Sequence, residues 1–251
     1  MRIHSYYLSG TMRLAGIYFR GTKRKLLKFF GLRSNDPYMK YKEINFFKEL
    51  LSNVRPKKCL EYGCGTSTLY YMNYLPADSH WTSIEHHKAW FNKISKEISR
   101  PNLSLHFVDI ERQSSEEPNE DVYASFPLPF GKFDFILVDG IRRENCIEMA
   151  PLLLEKGGIL VVHDSNRHQY HEHIKKFRYW FILEDFRKSA GGLGVASNDV
   201  DVAMAVNLSS HVSLWKMDTA ISNFFKFKFL LGKKPKPFRL QVSKNSDYNR
   251  G

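Results

Sequence analysis

The chain has 251 residues, of which 43% are apolar and 25% charged, and a formal net charge of +12. This length fits one domain with extensions better than two domains, and the composition excludes a disordered chain, a collagen-like chain and a disulfide-rich mini-protein. No apolar run approaches the roughly 20 residues of a membrane-spanning helix, and we expect no signal peptide. Three cysteines without a C-x-x-C pair indicate a reducing compartment and argue against structural zinc.

The positive charge lies at the two ends of the chain. Residues 1–58 carry 14 Lys/Arg against 3 Asp/Glu, residues 216–251 carry 9 against 2, and the residues between them carry 15 against 21. An acidic middle with basic flanks is typical of a catalytic core whose ends contact something anionic. We therefore divide the chain into a basic N-terminal extension with a helix (1–54), a central catalytic domain (55–210) and a basic, aromatic C-terminal extension (211–251).

Two helices are predicted in the N-terminal extension. The run from Arg20 to Phe30 has the pattern of a basic amphipathic helix, which either lies on an anionic bilayer or packs on the core through its aromatic residues. Residues 35–37 form a predicted turn. Apolar residues at helical spacing then predict a second helix over 40–53.

From Lys58 onward, predicted strands alternate with predicted helices. The strands are placed at 59–62, 81–85, 103–109, 133–140, 159–162, 180–183 and 200–206. Helices are placed at 66–75, 88–99, 145–154 and 168–177, and residues 111–131 are predicted to be a loop. The alternation indicates an α/β fold with a mostly parallel sheet, whose ligand lies beyond the carboxyl ends of the strands.

A glycine turn follows the first predicted strand. The run Gly63-Cys64-Gly65 opens the first helix of the domain, where glycine allows a tight turn and the close approach of a ligand. The third glycine of a dinucleotide fingerprint and the Gly-Lys-Ser/Thr of a P-loop are both missing, so neither NAD nor ATP is favoured. Glu85 ends the second strand, where an acid can accept the ribose hydroxyls of a nucleoside, and Asp109 ends the third, where an adenine edge can lie.

Residues 60–68 resemble the first motif of class I S-adenosylmethionine-dependent methyltransferases, and residues 83–85 resemble their second motif. The resemblance extends over about residues 55–207 and implies a Rossmann-like, doubly wound sheet of seven strands, mostly parallel with the last strand antiparallel. It also implies that S-adenosylmethionine is the cofactor of the 55–210 domain. The implied cofactor contacts are Glu61, Gly63, Gly65, Thr66, Ser67, Glu85, Asp109 and Asp139.

The ends of the fourth and fifth predicted strands are similar to those of small-molecule and sugar O-methyltransferases of that superfamily. Some of those enzymes bind a divalent cation through an Asp after the fourth strand and an Asp-Asn pair after the fifth. Asp139 and Asp164 match these positions and are candidate ligands of Mg²⁺. Ser165 stands where the Asn is expected, so a metal-free reaction is slightly favoured.

His163, which directly precedes Asp164 at the end of the fifth predicted strand, is the candidate general base, because its ordinary pKa lies near neutrality. With Asp139 and Asp164 it forms the predicted catalytic group. A hydrogen-bonded structural role for His163 stays open.

The C-terminal part contains two further patterns. Residues 191–194 are predicted to form a flexible loop before the last strand, and residues 224–230 alternate aromatic and basic side chains as in an extended segment. The residues from Lys233 onward are predicted to be a tail.

These patterns predict an S-adenosylmethionine-dependent methyltransferase that acts on a hydroxyl of a sugar, a glycan or another small molecule. Two alternatives stay open, an RNA 2′-hydroxyl methyltransferase and a non-catalytic cofactor-binding module anchored by its basic ends. Nucleic acid is the less favoured partner, because no Asn/Asp-Pro-Pro-aromatic motif follows the fourth strand. We further expect a cytoplasmic protein that is peripheral to an anionic membrane surface.

Overall fold

The computed structural model describes residues 10–30, 36–97, 100–110, 121–229 and 236–250. Its helices are α1 (Gly10–Phe29), α2 (Tyr41–Val54), α3 (Thr66–Met72), α4 (Lys88–Glu97), α5 (Val122–Ser125), α6 (Arg143–Leu153), α7 (His171–Ile174) and α8 (Leu208–Phe229). Its strands are β1 (Lys58–Tyr62), β2 (His80–Glu85), β3 (Leu103–Phe107), β4 (Phe133–Val138), β5 (Leu154–His163), β6 (Tyr179–Glu184), β7 (Leu193–Ser197) and β8 (Arg239–Val242). Short 3-10 helices cover Leu128–Phe130, His168–Tyr170 and Asp247–Arg250.

The strands form one twisted sheet in the order β3-β2-β1-β4-β5-β7-β6-β8. Strands β1 to β5 pair in parallel, whereas β7 is antiparallel to both β5 and β6. This arrangement confirms the predicted α/β, doubly wound, mostly parallel sheet. The predicted number of strands was wrong, because β8 pairs antiparallel with β6 and raises the number of strands among the described residues to eight.

The last strand of the core lies earlier in the chain than the apolar pattern suggested. Residues 200–206 form turns, and the strand is β7, which begins inside the predicted loop at 191–194. The Ser197 hydroxyl accepts the backbone N–H groups of Asp199 and Val200 at 3.2 Å, which turns the chain away from the sheet. Within this turn Val202, Ala203 and Val206 are buried against the core, whereas Met204 is exposed.

Two other predicted elements differ from the structure. Residues 224–229 continue α8 as a helix, because the buried face that begins with Leu214 and Trp215 overrides the local alternation of aromatic and basic residues; Leu230 lies outside the described residues. The predicted helix at 168–177 is only a 3-10 turn followed by the short helix α7. In the predicted loop at 111–131, residues 111–120 lie outside the described residues and α5 forms directly after them.

Each face of the sheet is covered by one apolar layer. On one face α2 and α8 pack through side chains such as Phe46, Leu50 and Trp215. On the other face α5 and α6 contribute Tyr123 and Ile147. Because both faces are covered, β4 carries almost uninterrupted apolar residues, as expected for a central parallel strand.

Lys42, in the first turn of α2, is fully buried although it carries a charge. Its Nζ lies 2.7 Å from Oδ2 of Asp185, directly after β6, and 2.7 Å from Oδ2 of Asp218 on α8. The ammonium group also lies 4.1 Å from the centre of the Trp215 ring. A buried charge is tolerated only when it is paired, so these contacts fix α2 against both the sheet and α8.

The buried ion pairs of Lys42 predict a large loss of stability on truncation. Among the described residues, Lys42→Ala leaves Asp185 with only Arg187 and Asp218 with only Lys40 as a cationic partner, and we expect the free energy of unfolding to fall by about 3 kcal/mol in urea titrations. Lys57 is the matched control, because its Nζ lies 2.8 Å from Oδ2 of Asp78 with both side chains exposed. Lys57→Ala is expected to leave the urea midpoint unchanged, and equal losses in the two variants contradict this role of Lys42.

Candidate active site

The carboxyl ends of the central parallel strands place polar residues along one edge of the sheet. Tyr62, the last residue of β1, pairs with Val138 of β4, and Val138 in turn pairs with Val162 of β5. The residues that follow these strands are therefore neighbours in space. Asp139 and His163 come together in this way from positions 24 residues apart in the chain.

The two glycines of the turn after β1 have different reasons to be glycine. Gly63 has φ +93°, and a Cβ atom there would lie 2.7 Å from the Cα of Gly140, so the close approach of two loops excludes a side chain. Gly65 is extended, and a Cβ atom there would meet nothing nearer than the Ser67 hydroxyl at 3.5 Å. The fold therefore requires Gly63 but not Gly65.

A cavity of about 470 Å³ lies over this turn, within the size range of small-ligand sites. Six of the predicted site residues line it, namely Gly63, Gly65, Thr66, Ser67, Glu85 and Asp139. The open space next to Gly65 belongs to this cavity.

Glu85 presents its carboxylate to this cavity from the end of β2. Its Oε1 accepts the backbone N–H groups of His86 and His87 at 2.9 and 2.7 Å, and its Oε2 accepts that of Cys64 at 3.2 Å. A carboxylate has about four acceptor positions, so Oε2 keeps capacity for a ligand hydroxyl. The geometry suits one strong hydroxyl contact at this oxygen.

Glu61 holds the glycine turn in place through hydrogen bonds. Its carboxylate accepts hydrogen bonds from Ser67 Oγ at 2.9 Å, Thr68 Oγ1 at 2.5 Å and Trp81 Nε1 at 3.0 Å, and it also contacts Ser83. Burial raises the pKa of Glu61 to about 7, against the opposing effect of these hydrogen bonds. Glu61 is fully buried, so its part in ligand binding is to hold the turn and the start of α3.

Asp109 differs from the other predicted cofactor contacts. It follows the end of β3 by two residues and is half-buried. It is not among the described residues that line the cavity. An adenine contact by Asp109 therefore stays a prediction from the resemblance.

His163 lies between two carboxylates. Its Nδ1 is 2.8 Å from Oδ1 of Asp139, and its Nε2 is 3.8 Å from Oε2 of Glu43 in the first turn of α2. Burial lowers the pKa of His163, but the two carboxylates outweigh it and raise the pKa to about 10. In the ligand-free protein His163 is therefore an imidazolium at neutral pH. Its Nε2 is buried and has no hydrogen-bond partner among the described residues.

Arg143, the first residue of α6, joins the ends of β4 and β5. Its guanidinium donates to the backbone carbonyls of Asp139 at 3.0 Å, Gly140 at 2.8 Å and His163 at 2.6 Å. The same group lies 3.1 Å from Oδ1 of Asp139 and 3.3 Å from Oδ2 of Asp164. Arg143 therefore supplies the positive charge between the two carboxylates that were predicted as metal ligands.

The predicted metal site can be tested against the donors around it. Ligand atoms of Asp139, His163 and Asp164 lie within 4.8 Å of one another, which is a spacing that a cation could use. However, Oδ1 of Asp164 accepts the backbone N–H of Gly191, and Arg143 is paired with both carboxylates. These residues do not fit a Mg²⁺ site, because a guanidinium already holds the carboxylates and opposes a second cation.

Asn166, which stands one place after the position expected for the amide of such a metal site, is also committed elsewhere. Asn166 donates through Nδ2 to the Asp185 carboxylate at 3.0 Å, and its Oδ1 accepts the backbone N–H of Asp185 at 2.9 Å. The Ser165 hydroxyl donates to the carbonyl of Val162 at 2.9 Å. Both side chains support the loop after β5.

Sequence reasoning missed several residues that shape the site. Glu43 lies within the helix predicted over 40–53, and no local pattern in the sequence indicates its contact with His163. Trp90, whose Nε1 donates to the carbonyl of Cys64 at 2.6 Å, was read only as part of a helix, although it lines the cavity. The cavity residues that were not predicted as site residues are Tyr38, Met39, Cys64, His86, His87, Trp90, Gly140 and Ile141.

Comparisons with known proteins bear on the fold. No family model matches the sequence, and neither does any curated protein. An O-methyltransferase from Bacillus cereus in complex with SAH is similar in structure, with a TM-score of 0.50 and 14% identity, over 77% of this chain and 92% of that chain.

Two further solved structures are similar over most of their length. One is the O-methyltransferase TomG from Streptomyces achromogenes, with a TM-score of 0.48 and 15% identity over 72% of this chain and 89% of that chain. The other is spermidine synthase from Thermotoga maritima, with a TM-score of 0.48 and 15% identity over 76% of this chain and 74% of that chain. The likeness to the Bacillus cereus structure is one of fold. The chain has the Rossmann-like α/β fold of class I S-adenosylmethionine-dependent methyltransferases.

Proposed function

We propose that this chain is an S-adenosylmethionine-dependent methyltransferase that acts on a hydroxyl of a sugar, a glycan or another small molecule. One observation carries the proposal: the cavity over the glycine turn is bordered by Asp139, which is hydrogen-bonded to the buried His163. The cavity suits a nucleoside cofactor, and the carboxylate–imidazole pair suits the removal of a hydroxyl proton.

The residues around the cavity fit S-adenosylmethionine. At Gly65 neither the backbone conformation nor a neighbouring protein atom excludes a side chain, so the space there is available for a ligand. Oε2 of Glu85 has an acceptor position for a ribose hydroxyl, and the Asp139 carboxylate lies where it can face a sulfonium. The cofactor supplies an electrophilic methyl group, and the chain supplies its position and orientation.

In this proposal Asp139, which lines the cavity, accepts the proton of the acceptor hydroxyl and passes it to Nδ1 of neutral His163. His163 is not among the described residues that line the cavity, and its buried Nε2 lies 3.8 Å from Oε2 of Glu43, so the proton reaches the ring through Asp139. Only neutral imidazole can accept a proton, and the pKa of His163 is raised to about 10. The active fraction of the enzyme therefore grows as the pH rises toward that value.

We propose a reaction without a metal ion, because the guanidinium of Arg143 is paired with both Asp139 and Asp164 and supplies the positive charge between them. Arg143 holds the two strand ends together, and Asp164 anchors the loop that carries Gly191. Both residues then position the catalytic group.

Labelled methyl transfer tests the proposed function. The protein is incubated with methyl-labelled S-adenosylmethionine and a panel of sugars, glycans, phenols and RNA, with Mg²⁺ or with a chelator. We expect transfer to a hydroxyl of a small molecule in both conditions. Transfer to RNA alone favours the 2′-hydroxyl alternative, and cofactor binding without transfer to any acceptor favours the non-catalytic module. The cytoplasmic location stays a prediction from the cysteine content.

The two glycines predict opposite outcomes of the same substitution. Gly65→Ala puts a methyl group into the cavity, so we expect normal thermal stability and a loss of affinity for S-adenosylmethionine of roughly tenfold or more by calorimetry. Gly63→Ala is the control, because its methyl group meets the backbone of Gly140 and is expected to lower the melting temperature. Unchanged affinity in Gly65→Ala contradicts the cofactor position.

The raised pKa of His163 predicts an alkaline pH profile. Between pH 7 and pH 9 we expect kcat/KM to rise by roughly tenfold for each pH unit, because each unit increases the neutral fraction of His163 by that factor. His163→Ala is expected to reduce kcat by roughly 10²–10⁴-fold and to remove this slope. A profile that levels off near pH 6.5 in the wild-type enzyme argues against the role assigned to His163.

The metal-free reaction is tested by an isosteric change at Asp164, whose φ is +61°. Asparagine tolerates this left-handed conformation and keeps an oxygen for the N–H of Gly191. Asp164→Asn is therefore expected to retain activity within about tenfold, and a chelator is expected to have no effect in steady-state assays. Joint loss of activity with the chelator and in Asp164→Asn is the result expected of a metal enzyme instead.

A further inference from the structure

Helix α1 lies on the protein through one side. Ile17 is buried in the core, and the Tyr18 hydroxyl donates to Oδ1 of Asp218 on α8 at 2.9 Å. Arg24 donates to two backbone carbonyls of the segment just before α2, at 2.9 and 2.8 Å. These contacts fix the rotation of α1 about its own axis, so its other side faces outward.

The outward side carries a row of large apolar side chains. They are Met12, Phe19, Leu26 and Phe30, with exposed fractions of 58%, 73%, 54% and 69%. Intervals of seven, seven and four residues place them on one face of a helix, and the N–H of Phe30 still bonds the carbonyl of Leu26 at 3.0 Å. We call this row the α1 stripe. Several large exposed apolar side chains on one face of a helix are typical of an interaction site.

Helix α8 runs beside α1 in the same direction. Arg13 of α1 contacts Ser210, and five residues further along α1 the Tyr18 hydroxyl contacts Asp218 and approaches Ser222 at 3.4 Å. Further along α8, Phe224 and Phe225 are 58% and 54% exposed. Exposed aromatic residues therefore occur toward the C-terminal ends of both helices.

The sequence of α1 and of the segment after Asp218 is basic, and Asp218 itself is buried and paired with Lys42. Residues 1–34 contain eight Lys/Arg and no Asp/Glu, and residues 219–246 contain seven Lys/Arg and no Asp/Glu. A second copy of the chain would bring a surface of the same charge and be repelled. The partner of this face must therefore be anionic as well as apolar.

We propose that α1 and the C-terminal part of α8 dock on an anionic lipid bilayer, with α1 in the plane of the interface and the α1 stripe at the boundary of headgroups and acyl chains. A basic helix with one apolar face is the form that binds in this way, since the lipid phosphates attract the lysines and the acyl chains cover the stripe. RNA offers the negative charge but no cover for aliphatic side chains such as Leu26. No helix within the described ranges is long and apolar enough to cross a membrane, and the proposal needs none.

The docking surface is connected to the candidate active site. The segment that Arg24 holds contains Tyr38 and Met39, which line the cavity over the glycine turn. Tyr38 is 85% exposed. Docking of α1 therefore sets the orientation of the cavity mouth relative to the bilayer.

Vesicle flotation of the full chain tests the proposal, with vesicles of phosphatidylcholine alone or mixed with phosphatidylglycerol. We expect the wild-type protein to float with the anionic vesicles and less so at high salt. The stripe variant Phe19→Ser/Phe30→Ser is expected to lose affinity by roughly tenfold or more. Leu152→Ser/Met204→Ser is the matched control, because these side chains are 61% and 64% exposed elsewhere on the molecule, and it is expected to bind as the wild type does.

A second variant keeps the test decisive if the stripe variant folds poorly. Lys23→Gln/Lys25→Gln removes two exposed charges from α1 without an apolar change, and we expect weaker flotation with a shallower dependence on salt. The proposal is overturned if wild-type protein floats equally with neutral and anionic vesicles, or if both variants float as the wild type does. Binding of poly(U) without binding of vesicles assigns the surface to RNA and overturns the proposal as well.

Discussion

A line of buried charges on which the rest of the structure depends runs from the outer helices to the ends of the central strands. Asp218 of α8 pairs with Lys42 of α2, Lys42 pairs with Asp185 after β6, and Asp185 pairs with Arg187. Arg187 then pairs with Glu43, whose carboxylate lies 3.8 Å from His163. Buried charges are costly unless paired, so each member of this line restricts where its neighbours can lie.

Helix α2 is the element through which this line passes. Lys42 and Glu43 are adjacent in sequence and both fully buried, yet they point to different partners, one toward α8 and the other toward Arg187 and His163. The apolar face of the same helix packs on the sheet. Helix α2, which covers one face of the sheet, is therefore also the helix that supplies the second carboxylate beside His163. The ion pairs that fix this helix and the contact with His163 come from adjacent residues.

Much of the fold and half of the site could be predicted from the sequence, because both depend on local patterns. Apolar runs that end in Gly63, Glu85, Asp139 and His163 identify the central strands, and the carboxyl ends of parallel strands must meet at one edge. The contact between Glu43 and His163 could not be predicted, since it joins residues 120 positions apart and depends on how α2 is rotated.

The errors in the C-terminal part also have physical reasons. An apolar run such as residues 200–206 predicts burial, but it does not distinguish a strand from a buried turn. In α8, the packing of Trp215 and the ion pair of Asp218 outweigh a local alternation of aromatic and basic residues. In both segments tertiary contacts determine the structure, and a single sequence does not show those contacts.

The central claim is that the line of buried charges ends on His163 and holds it as an imidazolium between Asp139 and Glu43. Nitrogen NMR of the imidazole in the ligand-free protein measures this state directly as the pH is raised. The account predicts that His163 stays protonated until about pH 10, and that Glu43→Gln lowers its pKa while Glu172→Gln, at a distant exposed position, does not. Titration of His163 near its ordinary value of 6.5 in the wild-type protein would contradict the account.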